Sequence, residues 1–523
     1  LHIHQFLKIP LDQLNVSSNF SEFGFDSINL VKFAKLISKH FGFNITPAKL
    51  FANPTIGALA DYLRQEYAIP AAADDAIAII GISGKFPQAD NLEAYWENLL
   101  QGRNCISEIP KERWDWNDNK TDVKWGGFIN GIQKFDPQFF GITPQEAELM
   151  DPQHRLLMTY TYKAIEDAGY HPKVLANTAT GVFIAIGNNG YNSHFPAGNL
   201  PSIAPNRISY FFDLHGPSEP VETACASSLV AIHKAINEIN NGTCDVAIVG
   251  GINTIVTPAG HRAFTQAGLL SKDGRCKPFS SEADGFVRAE GIGVLILKRL
   301  SLAEKDNDHI YGVLRGSGVN HNGRSNFLTA PNPNAQCDLL ESVYKKSGID
   351  INTVTYIETH GTGTELGDAI EIEGLKNAFK KLNGRQKNCA IGSVKANIGH
   401  TEIASGMASI IKVLYQMKHK MLVKSIHCDT INPHLQLENS PFYVVKDNQT
   451  WERMKDQSGA HLPLRAGVSS FGLGGVNAHI IVEEYIAKST VTRMPLPGYE
   501  FKESNYWITK NNPLFLKWYG SQI

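Results

Sequence analysis

At 523 residues the chain exceeds one ordinary core, so two or more domains are expected. A formal net charge of -2, with no long basic block, argues against nucleic acid or an anionic membrane as the main partner. No apolar run is long enough for membrane insertion, and LHIHQFLK at the start lacks the hydrophobic stretch of a signal peptide. The 7 cysteines are scattered without CxxC spacing, so neither a disulfide framework nor a metal cluster is expected, and a reducing cytoplasm fits. The chain opens on Leu1 rather than Met, which fits a piece of something longer or a disordered start left out.

Residues 1–67 read as a small helical bundle. Ile28, Val31, Ala34 and Phe41 fit one apolar helix face, widened by Leu30, Phe33 and Ile37. Thr46-Pro47 and Pro54-Thr55 then signal two further helix starts. AIPAAADD, residues 68–75, has the composition of an exposed tether. From Ala76 to Tyr485 short β-branched runs, such as DVAIVGG and GVLILKRL, alternate with helical stretches and Gly-rich loops. That pattern means an α/β fold. Residues 486–523 form an irregular, aromatic tail.

Within the α/β region, VETACASSLVAIHKA places Cys225 before Leu229, Ile232, Ile236 and Ile239, spaced as one helix face, with Gly242 as the stop. Cys225 therefore falls where a strand hands over to a helix, and the unpaired N–H groups there favour a thiolate. A buried, inert thiol is the ordinary alternative. Two loops shift the balance: IETHGTGTELGD carries His360, and GSVKANIGHTEIASG carries Lys395 and His400. Their spacing offers no clear zinc ligand set, whereas one Cys with two loop histidines suits thiol catalysis.

The segments TACASSLVA, THGTGTELGD and KANIGHTEIASG occur in that order. With DPQHRLLM, CKPFSSEADGFVRAEG and SSFGLGGVNAH they resemble the β-ketoacyl synthase family, specifically the ketosynthase domain of modular polyketide synthases. The resemblance runs from Ala76 to Tyr485. It implies a thiolase-type fold, two similar α/β halves stacked as five layers, and a homodimer. It implies that Cys225 is the nucleophile and that His360 and His400 assist loss of carbon dioxide. The backbone N–H groups of Cys225 and Leu473 would form the oxyanion hole, and Thr362 and Thr364 would bind a phosphopantetheine arm. Lys395 is expected to orient the histidine loop through Glu290, with a solvated lysine as the alternative.

FGFDSINLV resembles the attachment segment of an acyl carrier protein, with Ser27 carrying 4'-phosphopantetheine; a plain helix cap at Asp26 or Ser27 is the alternative. The resemblance leads us to expect a carrier cut short at Leu1, and Lys32, Lys35 and Lys39 decorate a helix that is often acidic in carriers. MPLPGYEFKESNYWI resembles the linker that wraps ketosynthases, through Tyr499, Phe501, Tyr506 and Trp507. LHGPSEPVETAC resembles synthases served by a separate malonyl acyltransferase. The expected reaction is decarboxylative Claisen condensation with carrier partners upstream and downstream. The rivals are a ketosynthase that only passes acyl chains onward and a structural dimerisation module. The chain is shorter than the resemblance leads us to expect at 116–122, 192–199 and 485–494, where omitted residues are expected in at least one place.

Overall fold

A computed structural model of the protein describes residues 6–10, 14–15, 18–41, 45–59, 62, 76–116, 123–191, 196–384, 389–487 and 492–508. The tether at 68–75 lies outside them, as do parts of 116–122, 192–199 and 485–494, where omitted residues are expected. The chain divides into two compact units, Leu1–Asp75 and Ala76–Ile523.

The first unit is built on α1 (Ser27–Phe41) and α2 (Pro47–Ala52). Asp26 caps α1: its Oδ1 accepts the Asn29 N–H at 2.6 Å. Ser27 is thus the first helical residue, and its neighbours Asp26 and Ile28 are exposed. The expected apolar face needs correction. Leu30, Phe33, Ala34 and Ile37 form the buried stripe, packed with Phe20, Phe25, Ile45, Leu50 and Leu59. Ile28 and Val31 lie on the opposite side, 65% and 38% exposed. Both stripes satisfy a helical period; the ring cluster of Phe20, Phe25 and Phe33 decides which one turns inward.

The second unit centres on an 11-stranded sheet. Its strands are β1 (Ile77–Lys85), β2 (Gly181–Ala185), β3 (Ser218–Val221), β4 (Val246–Asn253), β5 (Gly291–Arg299) and β6 (Gly312–His321), then β7 (Tyr356–Glu358), β8 (Cys389–Gly392), β9 (Phe442–Val444), β10 (Arg465–Phe471) and β11 (Val476–Glu483). They lie in the order β9-β8-β7-β10-β11-β6-β1-β5-β4-β2-β3. One half therefore reads 3-2-4-5-1 and the other 8-7-10-11-6, the same path with β9 added at the edge. In each half a parallel block ends in two antiparallel pairings. The halves join where Ile77–Ile79 of β1 pairs with Leu314–Gly312 of β6. Runs such as IAIIGISG are buried throughout, as strands covered on both faces must be.

Five helices supply the layers: α3 (Pro152–Asp167), α4 (Ser227–Asn240), α5 (Pro333–Ser347), α6 (Glu365–Lys381) and α7 (Ser405–His419). Helix α4 touches β2, β4 and β5 of one half and β6 and β11 of the other, while α7 touches β4, β5 and β10. Both are sandwiched between the two halves. Helix α3 covers the outer face of the first half, and α5 with α6 that of the second. This is the five-layered thiolase-type arrangement.

The tail crosses the first half. Ser504–Asn505 pairs with Lys134–Phe135, Tyr499 packs on Phe139 with ring centres 4.4 Å apart and planes tilted by 40°, and Trp507 meets Tyr191 edge-on at 5.3 Å. The wholly buried Arg155, from the DPQHRLLM segment, donates from Nη1 to the Tyr506 carbonyl at 2.6 Å.

Candidate active site

Strand β3 ends at Val221, and the chain turns before α4. The turn is sharp: Ala224 has a φ of 52°, a left-handed conformation that costs a residue with a Cβ about 1–2 kcal/mol. Ser227 ties it, accepting the Thr223 N–H at 2.8 Å and donating to the Ala224 carbonyl at 2.6 Å. Cys225 is presented at the top of this turn, half-buried. The placement matches the strand-to-helix expectation.

The equivalent turn of the second half follows β8 and carries Lys395, His400 and Glu402 before α7. His400 Nε2 lies 3.1 Å from Cys225 Sγ. The Glu402 N–H donates to His400 Nδ1 at 3.2 Å, so Nε2 carries the proton and points it at the sulfur. His360, on the loop after β7, completes the cluster; its ring centre is 5.4 Å from that of His400, at 83°. The Glu371 carboxylate accepts the His360 and Gly361 N–H groups at 2.7 and 2.8 Å and holds this loop. Gly363 (φ 76°) must lack a side chain, because a Cβ there would sit 2.6 Å from the Lys277 nitrogen.

Burial, reinforced by the nearby Lys395 charge, holds both histidines well below the usual imidazole range; His400 adds to the effect at His360, and Arg288 at His400. Both rings are neutral near pH 7. Burial also pushes the Cys225 thiol up to about 12, with the Glu402 carboxylate next in importance. Lys395 and the N–H groups of Leu473 and Cys225 act in the opposite sense. The expected thiolate therefore needs correction: at this helix start desolvation outweighs Lys395 and the backbone N–H groups that favour it.

Lys395 is 1% exposed, and its Nζ has no hydrogen-bond partner among the described residues. Burial lowers its pKa, opposed first by Glu358 and then by Glu371. Its expected link to Glu290 is not present. Glu290 instead accepts from Arg113 Nη2 at 3.0 Å and from the Ile129 and Ile255 N–H groups at 3.0 and 2.8 Å. Those three donors tie the carboxylate into a separate network that does not include the lysine.

Cys225, His360 and His400 open into a cavity of about 420 Å³, walled by Phe264, Leu269 and Phe286 and bordered by Thr362, Thr364 and Leu473. The two threonine hydroxyls lie 3.0 Å apart. The sulfur and ring nitrogens approach within 4.8 Å of one another, close enough in principle for a metal. Binding at His400 Nε2 would, however, move its proton to Nδ1, against the Glu402 N–H. The donor set suits thiol and imidazole chemistry instead.

Comparison with known proteins agrees. Residues 74–303 and 311–429 match the family models described as "Beta-ketoacyl synthase, N-terminal domain" and "Beta-ketoacyl synthase, C-terminal domain". A solved ketosynthase from module 6 of the bacillaene synthase from Bacillus subtilis is 47% identical, with a TM-score of 0.76 over 79% of this chain and 73% of that one. The chain belongs to the β-ketoacyl synthase family. This ketosynthase also resembles the oxazolomycin ketosynthase domain of Streptomyces albus (40% identity, TM-score 0.77, covering 80% of this chain and 75% of that one). Residues 432–505 match the "Ketoacyl-synthetase C-terminal extension", and residues 2–63 the "Phosphopantetheine attachment site". Polyketide synthase PksN of Bacillus subtilis is 49% identical over 94% of this chain, which spans 10% of that protein. Polyketide synthase ThaG of Burkholderia thailandensis is 46% identical over 84% of this chain and 8% of its own length. The chain is thus about a tenth as long as such curated relatives. It comprises a phosphopantetheine-attachment unit followed by a transferase of the β-ketoacyl synthase class.

Sequence reading of this ketosynthase missed Glu371, Arg288 and Glu402. One signal existed: Glu371 shares the stripe of Asp368, Ile372, Leu375 and Phe379, all buried on α6. An acid inside an apolar stripe marks a partner.

Proposed function

We propose that this ketosynthase elongates polyketide chains by decarboxylative Claisen condensation. Cys225 attacks an acyl thioester delivered by a carrier, the new oxyanion being met by the N–H groups of Cys225 and Leu473. The C–S bond to the carrier breaks, and the carrier thiol leaves with the proton lost by Cys225. A malonyl thioester then enters, its arm held by Thr362 and Thr364. Carbon dioxide departs and leaves the bonding electrons as an enolate, whose oxygen accepts N–H donors from His360 and His400. The enolate carbon attacks the acyl carbonyl, a C–C bond forms, and the Cys225 thiolate is released. The observation that carries this reading is the neutral His400, aiming Nε2–H at the sulfur from 3.1 Å. Lys395 and Glu371 would support the histidine loops, while Glu290 serves the fold elsewhere.

Ser27 is the proposed attachment site of phosphopantetheine in the carrier unit. Its position as the first residue of α1, between exposed neighbours, suits modification; when bound, the group supplies a thiol that presents the acyl chain. Upstream and downstream carriers, a separate malonyl acyltransferase, a homodimer and a cytoplasmic setting complete the reading. Domain limits of 1–67, 68–75, 76–485 and 486–523 are proposed for it. Among the described residues no helix is long and apolar enough to cross a membrane.

The test is to load the native protein with an acyl thioester, then add malonyl carrier and measure carbon dioxide and extended product. Both are expected. Loading followed by transfer to a carrier without carbon dioxide would assign the chain-passing role instead. For Ser27, a phosphopantetheinyl transferase should add the arm to the native protein and not to Ser27→Ala; an unchanged native mass would leave Ser27 a structural residue.

A further inference from the structure

We propose that Arg288 and Glu402 form a clasp that positions His400, fixing which ring nitrogen carries the proton. The proposal rests on the role given to His400 above. Glu402 adopts a φ of 46°, a conformation unfavourable to a side-chain-bearing residue. This backbone geometry aims its N–H at His400 Nδ1, 3.2 Å away. Something must hold it there. The Glu402 carboxylate is gripped in fork fashion, accepting from Arg288 Nε at 2.7 Å and from Nη2 at 3.3 Å.

The guanidinium is itself cradled. It lies over the Phe264 ring, 5.3 Å from its centre. One helical turn earlier Gly260 leaves the room it needs: a Cβ there would stand 2.8 Å from Nη1. Arg288 also brackets His400 through the backbone. The His400 N–H donates to the Val287 carbonyl at 2.7 Å, and the Ala289 N–H donates to the His400 carbonyl at 2.8 Å. Phe286 closes the ring's flank edge-on, with centres 5.3 Å apart. One segment, residues 286–289, thus holds His400 by main chain and by ring, and through Arg288 fixes the residue that sets its tautomer. The positive charge of Arg288 further disfavours an imidazolium at His400. Neither Arg288 nor Glu402 touches Sγ in this arrangement, so both are positioning residues.

The first readout needs no activity. In protein carrying ¹⁵N-histidine, with the His400 signals assigned by their loss in His400→Ala, Nε2 is expected to appear protonated and Nδ1 unprotonated. Arg288→Lys, which keeps the charge but loses the fork, and Glu402→Gln, which keeps the shape, are expected to mix the tautomers. A native His400 protonated on Nδ1, or an unmixed tautomer in a folded variant, would overturn the clasp. The second readout is kinetic. Each variant should still load Cys225, with condensation kcat lowered roughly 10-fold or more and KM for malonyl carrier unchanged. In a His400→Ala background the same substitutions should cost nothing further; a full additional loss would show that they act elsewhere. If His400→Ala alone condenses at the native rate, the assignment of His400 fails, whereas the tautomer measurement still judges the clasp.

Discussion

The two halves of the ketosynthase share one strand path, and the turns after β3 and β8 occupy equivalent places in it, each leading into one of the two central helices. What they hold differs. The first turn is held by hydrogen bonds among Thr223, Ala224 and Ser227 and by the left-handed Ala224, and the group it presents is a sulfur. The second buries ionisable groups: Lys395 and His400 lie in the turn, with Glu358 and Glu371 on neighbouring segments. A duplicated scaffold thus places a nucleophile opposite a charge-handling loop without either half having to do both. Both turns hold a left-handed residue, Ala224 in the first and Glu402 in the second, and the second adds buried charge to it.

That contrast can be broken experimentally. The largest effect is expected at Cys225. Cys225→Ala should abolish acyl loading outright, measured by intact mass, because the six remaining cysteines are all buried. Its stability should change little. Lys395→Met should do the reverse, moving stability rather than loading. Its Nζ is buried without a hydrogen-bond partner among the described residues and burial lowers its pKa, so an apolar chain of similar length should raise stability by about 1 kcal/mol or more. The denaturant midpoint reads this directly, and a midpoint shift below that of Cys225→Ala would refute the contrast.

Next comes pH. Because burial raises the Cys225 thiol to about 12, the free site is protonated across the neutral range. Its alkylation rate should therefore climb about tenfold per pH unit from pH 6 to 10. A plateau near pH 7 would mean that the helix start prevails over burial. The smallest effect belongs to Ala224. Ala224→Gly relieves the left-handed strain but loosens the unfolded chain, so a gain of about 0.5 kcal/mol is expected, with loading intact.

The sequence revealed the site where chemistry is concentrated in short motifs. Cys225, His360 and His400 each sit in a loop of small residues, and the α/β alternation gave the fold class. Pairings made at a distance were not legible. Arg288 and Glu402 lie 114 positions apart, and Arg113, the side chain that takes Glu290 in place of Lys395, lies 177 positions from that glutamate. The inward stripe of α1 could not be chosen between Ile28/Val31 and Leu30/Phe33 until the surrounding phenylalanines were in place. The thiol state is hidden for a related reason: a helix start is visible in sequence, and the desolvation opposing it is not.

The division of labour between the halves is tested most directly by His360→Ala. With an acyl thioester and malonyl carrier supplied together, the mass of the Cys225 adduct and the release of carbon dioxide are measured in one reaction. The account predicts an adduct at the native level, with carbon dioxide release and condensation lowered roughly 10²–10³-fold, the loss expected for one oxyanion-type donor. Carbon dioxide released at the native rate would contradict it.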